Sequence, residues 1–253
     1  MLADTHAHLT MPEYQDISTV LHRAKSAGIE FIIDVAYDLE SANKSVELAG
    51  ANESVYSAVG IHPHDAKSYN KDMLKTIKLL LQKPKVVAIG ETGLDYHYKL
   101  SAKEDQKTLF VQLVKIAKEF ELPLIVHGRE SYEDIIDILE TEGEGKVKGV
   151  FHSFSGSVEQ ANWATSNNFF ISFSGMLTFK KAANIVEIAT AVPIEKMLLE
   201  TDSPYLTPEP FRGRRNEPSF IRYVAEKLSQ IKGITPEEAG RITTNNAKKL
   251  FRI

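Results

Sequence analysis

The chain has 253 residues, a formal net charge of −4, and ordinary hydrophobic (43%) and charged (25%) fractions. It contains no cysteine, which excludes disulfides, thiolate metal ligands and a cysteine nucleophile. The acidic balance argues against a basic nucleic-acid coat or a membrane-surface protein, but not against a nuclease that uses metal ions to bind phosphate. No signal segment is recognised and no apolar run reaches the ~18 residues of a membrane span, so we expect a cytoplasmic protein.

Short apolar runs along the chain predict eight buried parallel strands. They are Leu2–Asp4, Phe31–Ala36, Tyr56–Ile61, Val86–Gly90, Leu124–Val126, Gly149–Phe151, Phe169–Phe173 and Met197–Glu200. Segments with helical spacing of apolar residues alternate with them. These are Ile17–Ala27, Met73–Leu81, Gln106–Phe120, Tyr132–Leu139, Val158–Ser166, Lys181–Ala191, Pro218–Ile231 and Pro236–Leu250, the last with a capped start at Thr235.

This alternation, without a linker or an internal repeat, predicts an α/β fold: a single (β/α)8 TIM barrel over residues 1–253. In such a barrel the downstream ends of the strands meet at one face, where the active site is built. Side chains at those ends are therefore the candidates for chemistry.

The first strand ends in two histidines, His6 and His8. Residues two apart in a strand point to the same side, so both imidazoles can bind one metal ion. Asp4 is interpreted as a supporting partner rather than a ligand.

Glu91 follows the strand that begins at Val86, in a turn flanked by glycines. A carboxylate can bridge two cations, which a neutral imidazole cannot do, so Glu91 is the candidate bridge. Asp95, four residues later, is interpreted as an ordinary turn residue.

Two consecutive apolar strands end in histidine, at His127 and His152, and both are candidate ligands. Arg129 lies just beyond the first of them. Its guanidinium can pair bidentately with a phosphate or carboxylate group. The alternative is that Arg129 is a surface arginine bonded to Glu130 or Glu133.

Asp202 ends the eighth strand, where it can bind a metal ion and accept a proton from an attacking water. Glu200 has the same spacing, but Asp202 lies nearer the catalytic end and is preferred. Asp202 and Glu91 are the predicted catalytic residues.

Substrate contacts are predicted from two further segments. His62 and His64 follow the third strand, and the proline between them breaks the alternation, so we interpret them as substrate-facing groups. The long loop Ser203–Pro218 at the catalytic face carries candidate phosphate ligands and two residues that either contact substrate or brace the loop. The candidates are Arg212, Arg214 and Arg215, and the two ambiguous residues are Asn216 and Glu217.

Taken together, the motifs DTHAHL, VGIHPH, IGETGLD, PLIVHGR, HSFSG, LETDSPYL and RGRRNEP resemble those of the TatD family of metal-dependent deoxyribonucleases, nearly from end to end. The resemblance implies a TIM barrel with two metal ions that cleaves DNA phosphodiesters, often from the 3′ end. It implies one ion held by His6, His8, Glu91 and Asp202 and a second by Glu91, His127 and His152. Many relatives have cysteine where this chain has Ser153, which changes no ligand.

The resemblance thus implies a 3′–5′ exodeoxyribonuclease with two divalent ions (Mg, Mn or Zn), acting on single-stranded DNA or 3′ ends, and we expect no membrane association. One alternative keeps the metal site but cleaves an ester, as a D-aminoacyl-tRNA deacylase would. Another is a metal-binding scaffold without activity, which the complete ligand set disfavours. The oligomeric state is not predicted.

Overall fold

Eight parallel strands lie side by side in chain order in the computed structural model, which describes residues 1–253. They are β1 (Leu2–Ala7), β2 (Ile29–Val35), β3 (Val55–Val59), β4 (Val86–Asp95), β5 (Leu124–Arg129), β6 (Gly149–Phe151), β7 (Phe169–Phe173) and β8 (Met197–Leu199). The strands form a nearly closed barrel with helices around it, which confirms the predicted fold and strand order.

The barrel closes beyond the end of β8, where the chain pairs with β1. The N–H of Asp202 donates to the carbonyl of His6 at 2.9 Å, and the N–H of His8 donates to the carbonyl of Ser203 at 2.8 Å. These two bonds hold the first and last predicted metal ligands beside each other, although they come from opposite ends of the chain.

Asp4 supports the same junction and is fully buried. Its carboxylate accepts from the N–H of Thr201 at 2.9 Å and from the Thr201 hydroxyl at 2.6 Å. Burial raises the pKa of Asp4 to about 7, although these hydrogen bonds oppose the shift. Asp4 is therefore a supporting partner, as its position suggested.

The helices that surround the barrel connect the strands and extend beyond the last one. They are α1 (Ile17–Ser26), α2 (Leu39–Ala51), α3 (Lys71–Leu80), α4 (Lys103–Phe120), α5 (Tyr132–Gly143), α6 (Val158–Ser166), α7 (Ala183–Ala191), α8 (Ile221–Lys232) and α9 (Pro236–Phe251), with short 3-10 turns at Pro63–Ser68, Gly175–Thr178, Ile194–Lys196 and Pro218–Phe220. None of these helices combines the length and hydropathy that crossing a membrane requires.

Helix α2 was not predicted from the sequence. Its buried face consists of small residues (Ser41, Ala42, Ser45 and Ala49), so the apolar periodicity is weak. The helix begins instead with a capping box, in which Asp38 accepts from the N–H of Ser41 at 2.7 Å.

Strand β4 is longer than predicted, because residues 91–95 continue the strand instead of forming a turn. The pairing with β5 shifts register between Ile89 and Thr92. Gly93 has a φ of 130°, and a Cβ there would lie 2.0 Å from the carbonyl oxygen of His127. Only glycine permits this close approach, and it brings the end of β4 against β5.

Apolar strand residues fill the barrel interior, which is covered at its amino-terminal end by α9. This cluster contains Ala3, Phe31, Ile33, Val35, Ala58, Val87, Ala88, Ile125, Val150, Phe170 and Leu198 from the strands, with Ala247, Leu250 and Phe251 from α9. A larger apolar cluster fills the space between the strands and the other helices. The candidate metal-binding side chains lie at the opposite, carboxyl-terminal end of the barrel.

Candidate metal centre

The six predicted metal ligands converge at the carboxyl-terminal ends of the strands around the side chain of Glu91. On one side, Glu91 Oε2 lies 3.4 Å from His6 Nε2 and 3.5 Å from His8 Nε2. Asp202 Oδ1 lies 3.7 Å and 3.6 Å from the same two nitrogens. These four side chains present their donor atoms to one point.

The other oxygen of Glu91 faces a second set of imidazoles. Glu91 Oε1 lies 2.9 Å from His127 Nδ1 and 2.9 Å from His152 Nε2. These two nitrogens are 3.1 Å apart. The two carboxylate oxygens of Glu91 thus face different groups, which is the arrangement that a bridging carboxylate requires.

The donor spacing fits divalent metal ions. Ligand atoms 2.0–2.1 Å from a shared tetrahedral zinc ion are about 3.3 Å apart. The separation of His6 Nε2 from His8 Nε2, 3.2 Å, matches this spacing. Three overlapping groups of donors at this face satisfy the distance requirement for holding an ion: His6–His8–Glu91, His6–His152–Asp202 and His62–Glu91–His127.

Two of the imidazoles, those of His8 and His127, are oriented through their other ring nitrogens. His8 Nδ1 donates to the carbonyl of Val35 at 2.7 Å, which leaves Nε2 free to bind a metal ion. His127 Nε2 lies 3.1 Å from Asp95 Oδ2, which leaves Nδ1 directed at Glu91. Such partners fix the ring orientation and the tautomer of metal-binding histidines.

His152 is oriented by Glu200, whose carboxylate is fully buried. His152 Nδ1 lies 3.4 Å from Glu200 Oε1, which is within ion-pair distance but longer than a usual hydrogen bond. Glu200 therefore lies behind His152, while Asp202 faces the cluster itself, in agreement with the choice made between them from the sequence.

The surroundings favour the ionised form of both acidic residues. Burial alone would raise the pKa of Glu91, but the charge of the neighbouring His152 and hydrogen bonds from His127 and His152 lower it well below the usual range. For Asp202, burial is likewise outweighed by the hydrogen bond with His8 and by the charges of His152 and His8, and its pKa is lowered. Two carboxylates held as anions among imidazoles form a site for cations.

His62 reaches the same cluster, with Nε2 3.3 Å from Glu91 Oε1. Its Nδ1 accepts from the backbone N–H of His64 at 3.2 Å, so in the neutral ring the proton is on Nε2. Burial lowers the pKa of His62 to about 4, which keeps the ring neutral. This tautomer donates a hydrogen bond at Nε2 and does not suit a metal ligand.

Asp95 was interpreted from the sequence as an ordinary turn residue, but the structure places its carboxylate against two histidines. Its side chain is fully buried, and Oδ2 lies 3.1 Å from both His64 Nε2 and His127 Nε2. Although burial opposes it, hydrogen bonds from His127 and His64 lower the pKa of Asp95. The missed signal was the strand: residues 91 and 95 share one face once β4 continues through them.

The cluster forms the floor of a pocket of about 720 Å³, within the range of small-molecule sites. His62, His64 and Arg129 line this pocket. Arg129 forms no ion pair, and Glu130 is bonded to His97 instead, at 2.8 Å. The guanidinium is therefore free to bind an anionic ligand.

The loop arginines do not line the pocket. Arg212 stacks on Phe179, with its guanidinium carbon 3.7 Å from the ring centroid. Arg214 lies 5.6 Å from the ring of Phe211, and Arg215 bonds the carbonyl of Glu13. All three arginines are exposed outside the pocket.

Asn216 and Glu217 also lie outside the pocket and are buried. The Asn216 amide donates to the carbonyls of Thr201 at 2.9 Å and Tyr205 at 2.6 Å. Glu217 accepts two hydrogen bonds from Nε of Arg23, at 2.8 and 3.0 Å, and one from Nη2 at 2.6 Å. Of the two roles considered for this pair, these contacts correspond to bracing the loop.

Comparison with known proteins places the chain in a family. A family model described as TatD related DNase matches residues 3–252. The chain is 45% identical over 254 residues to the uncharacterized metal-dependent hydrolase YabD of Bacillus subtilis, with 100% of each chain covered. It is 31% identical over 257 residues to the 3′-5′ ssDNA/RNA exonuclease TatD of Escherichia fergusonii, covering 99% of this chain and 98% of that one.

A solved structure agrees with these sequence relatives. The crystal structure of YJJV, a TatD homolog from Escherichia coli K12, matches with a TM-score of 0.94 and 30% identity over 100% of this chain and 98% of that one. The fold, the donor cluster and these relatives define a metal-dependent hydrolase built on a TIM barrel. The chain belongs to the TatD family, as its motifs indicated.

Proposed function

We propose that this hydrolase is a nuclease that cleaves DNA phosphodiester bonds, as a 3′–5′ exodeoxyribonuclease acting on single-stranded ends. The observation that carries the proposal is Glu91, whose two oxygens face two separate sets of imidazoles. Paired divalent ions suit phosphoryl chemistry because they stabilise both the attacking and the leaving oxygen.

Two ions are assigned to the cluster. His6, His8, Glu91 and Asp202 would hold one, and Glu91, His127 and His152 the other. Mixed imidazole and carboxylate ligands suit Mn or Zn better than Mg, although Mg is also a candidate. When bound, such ions supply Lewis-acid activation of water and neutralise charge on the phosphate.

The protein side chains supply the proton transfer and the grip on substrate. Ionised Asp202 accepts a proton from the attacking water as the new P–O bond forms. The P–O3′ bond breaks, the leaving oxygen takes a proton from solvent and Asp202 returns its proton to solvent, so the net reaction consumes one water. Arg129 pairs with a phosphate oxygen of the substrate, and His62 donates a hydrogen bond to the substrate from Nε2.

The preference for nucleic acid has two supports. The Escherichia fergusonii relative carries the name of a 3′-5′ exonuclease of single-stranded DNA and RNA, and it is similar to this chain over nearly its full length. The pocket contains an arginine without a carboxylate partner, which an anionic substrate would satisfy.

The test is nucleotide release from single-stranded DNA labelled at either end, with Mg or Mn added. Wild type should release labelled mononucleotide at once from 3′-labelled DNA and give a shortening ladder from 5′-labelled DNA. Glu91→Ala should abolish release, and Glu130→Ala, which removes an exposed glutamate paired with His97, should not.

Metal-loaded wild type that leaves both DNA substrates intact contradicts the nuclease proposal. Hydrolysis of an aminoacyl ester by that same preparation would then assign the centre to ester chemistry. Release that begins at the 5′ end would contradict only the polarity.

A further inference from the structure

Two exposed tyrosines stand at the mouth of the pocket. Tyr98 is 54% exposed and Tyr205 is 50% exposed, although large apolar side chains are otherwise mostly buried in this chain. Both line the pocket that contains the metal cluster. Neither ring is required by the barrel core, so their exposure needs another explanation.

The two tyrosines lie on opposite sides of the barrel mouth. Tyr98 follows β4 and Tyr205 follows β8, and these strands are four apart in an eight-stranded barrel. The Tyr98 ring lies edge-on to His64, with centroids 5.5 Å apart, and the Tyr205 ring lies edge-on to His8 at 6.3 Å. The Glu91 carboxylate therefore lies between the two rings.

Both backbones are tied to groups that belong to the metal centre. The N–H of Tyr98 donates to Asp95 Oδ1 at 2.9 Å, and the other oxygen of that carboxylate holds His127. The carbonyl of Tyr205 accepts from buried Asn216 at 2.6 Å, and its N–H donates to the carbonyl of Asp202 at 2.9 Å. The backbone positions that carry the two rings are thus held close to the cluster.

The charge beside Tyr98 indicates the kind of ligand. The guanidinium of Arg129 lies over its ring, 4.7 Å from the centroid. An aromatic ring with an unpaired cation over one face matches a nucleotide, with its base on the other face of the ring and its phosphate at the guanidinium.

We propose that Tyr98 and Tyr205 are stacking platforms for unpaired bases on the two sides of the scissile phosphodiester. The proposal rests on the nuclease function proposed above and specifies its substrate as single-stranded. A base can stack on a protein ring only when it is not enclosed in a duplex, and every base has a π face, so binding would be tolerant of sequence.

The experiment compares an ordinary oligonucleotide with one that carries abasic sites at its 3′ end. Tyr98→Ala and Tyr205→Ala should each slow cleavage of the base-bearing strand by about 5- to 150-fold, the range for loss of one stacked base. On the abasic strand the same variants should match wild type. Tyr98→Phe and Tyr205→Phe keep the ring and should retain activity on both, as should Leu79→Ala, which removes an exposed side chain on α3.

Equal losses on both strands would overturn the proposal, because they would mean that the rings shape the metal centre and do not bind bases. Alanine variants with full activity on the base-bearing strand would overturn it as well. If wild type cleaves neither strand, the nuclease function fails and this proposal fails with it. That result is distinguishable from the others because it involves no tyrosine variant.

Discussion

The two ends of the barrel are built from the same strands but hold opposite kinds of side chain. At the amino-terminal end, Phe31, Val87 and Phe170 meet α9 in a continuous apolar cluster. At the carboxyl-terminal end, the interior is filled with imidazoles and carboxylates, and buried polar atoms such as His6 Nδ1 and both Glu200 oxygens have no hydrogen-bond partner. We therefore expect the first end to contribute more to stability and the second to tolerate unfavourable burial because a metal site needs those groups.

The largest expected effect at the functional end comes from Asp202→Asn. The amide keeps an oxygen that can bind a metal ion but cannot accept the proton of water. We expect kcat to fall by about 10²- to 10⁴-fold, the range for general base catalysis, with metal content preserved. Asp65→Asn is the matched control, because Asp65 lines the same pocket without touching the cluster. Full turnover by Asp202→Asn at unchanged metal content would contradict the assignment of the base.

Substitutions at the amino-terminal end of the barrel should lower stability and leave turnover unchanged. Leu250→Ala in α9 removes a side chain that is 2% exposed, and we expect the free energy of unfolding to fall by about 2–5 kcal/mol. Urea denaturation measures this, with exposed Leu79→Ala as the control. The folded fraction should keep its wild-type kcat. A fall in kcat without a fall in stability would show that the two ends are not independent.

A smaller effect on activity is expected from Asp95→Asn, which weakens the partner that orients His127. Loss of such a partner costs about 10–100-fold in metal affinity or activity. Metal titration of the variant by calorimetry separates a loss of metal affinity from a loss of catalytic rate. If affinity is what is lost, the deficit in activity should shrink at saturating metal. Unchanged affinity and unchanged kcat would return Asp95 to the role of a turn residue.

The smallest effect is expected from Asn216→Ala, which leaves the carbonyls of Thr201 and Tyr205 without their donor. Unsatisfied buried groups cost about 1–3 kcal/mol, which thermal or urea unfolding should detect. If Asn216 contacts substrate instead, stability will be unchanged and only KM will rise.

The sequence predicted most of the barrel and the cluster because both depend on local patterns. Apolar runs locate the strands, and a histidine or carboxylate at each strand end is placed at the common face by the fold itself. That is why His6 and Asp202 could be predicted to meet. Helix α2 escaped prediction because small residues, not large apolar ones, form its buried face.

Other features depend on tertiary contacts that the sequence does not express. The continuation of β4 through Asp95 follows from the close approach that Gly93 permits to β5. Asn216 braces its loop through carbonyls eleven and fifteen residues away, which no spacing rule identifies. The three loop arginines lie near Asp202 in the sequence but do not line the pocket, which sequence distance alone does not reveal.

The most direct test of the account is the number of metal ions bound per chain by wild type and by Glu91→Ala, measured by calorimetric titration with Mn and by elemental analysis. A centre bridged by Glu91 predicts two ions per wild-type chain and weaker binding of both in the variant, with Glu130→Ala unchanged. A single ion in wild type, or two ions still bound with full affinity in Glu91→Ala, would contradict the bridged centre.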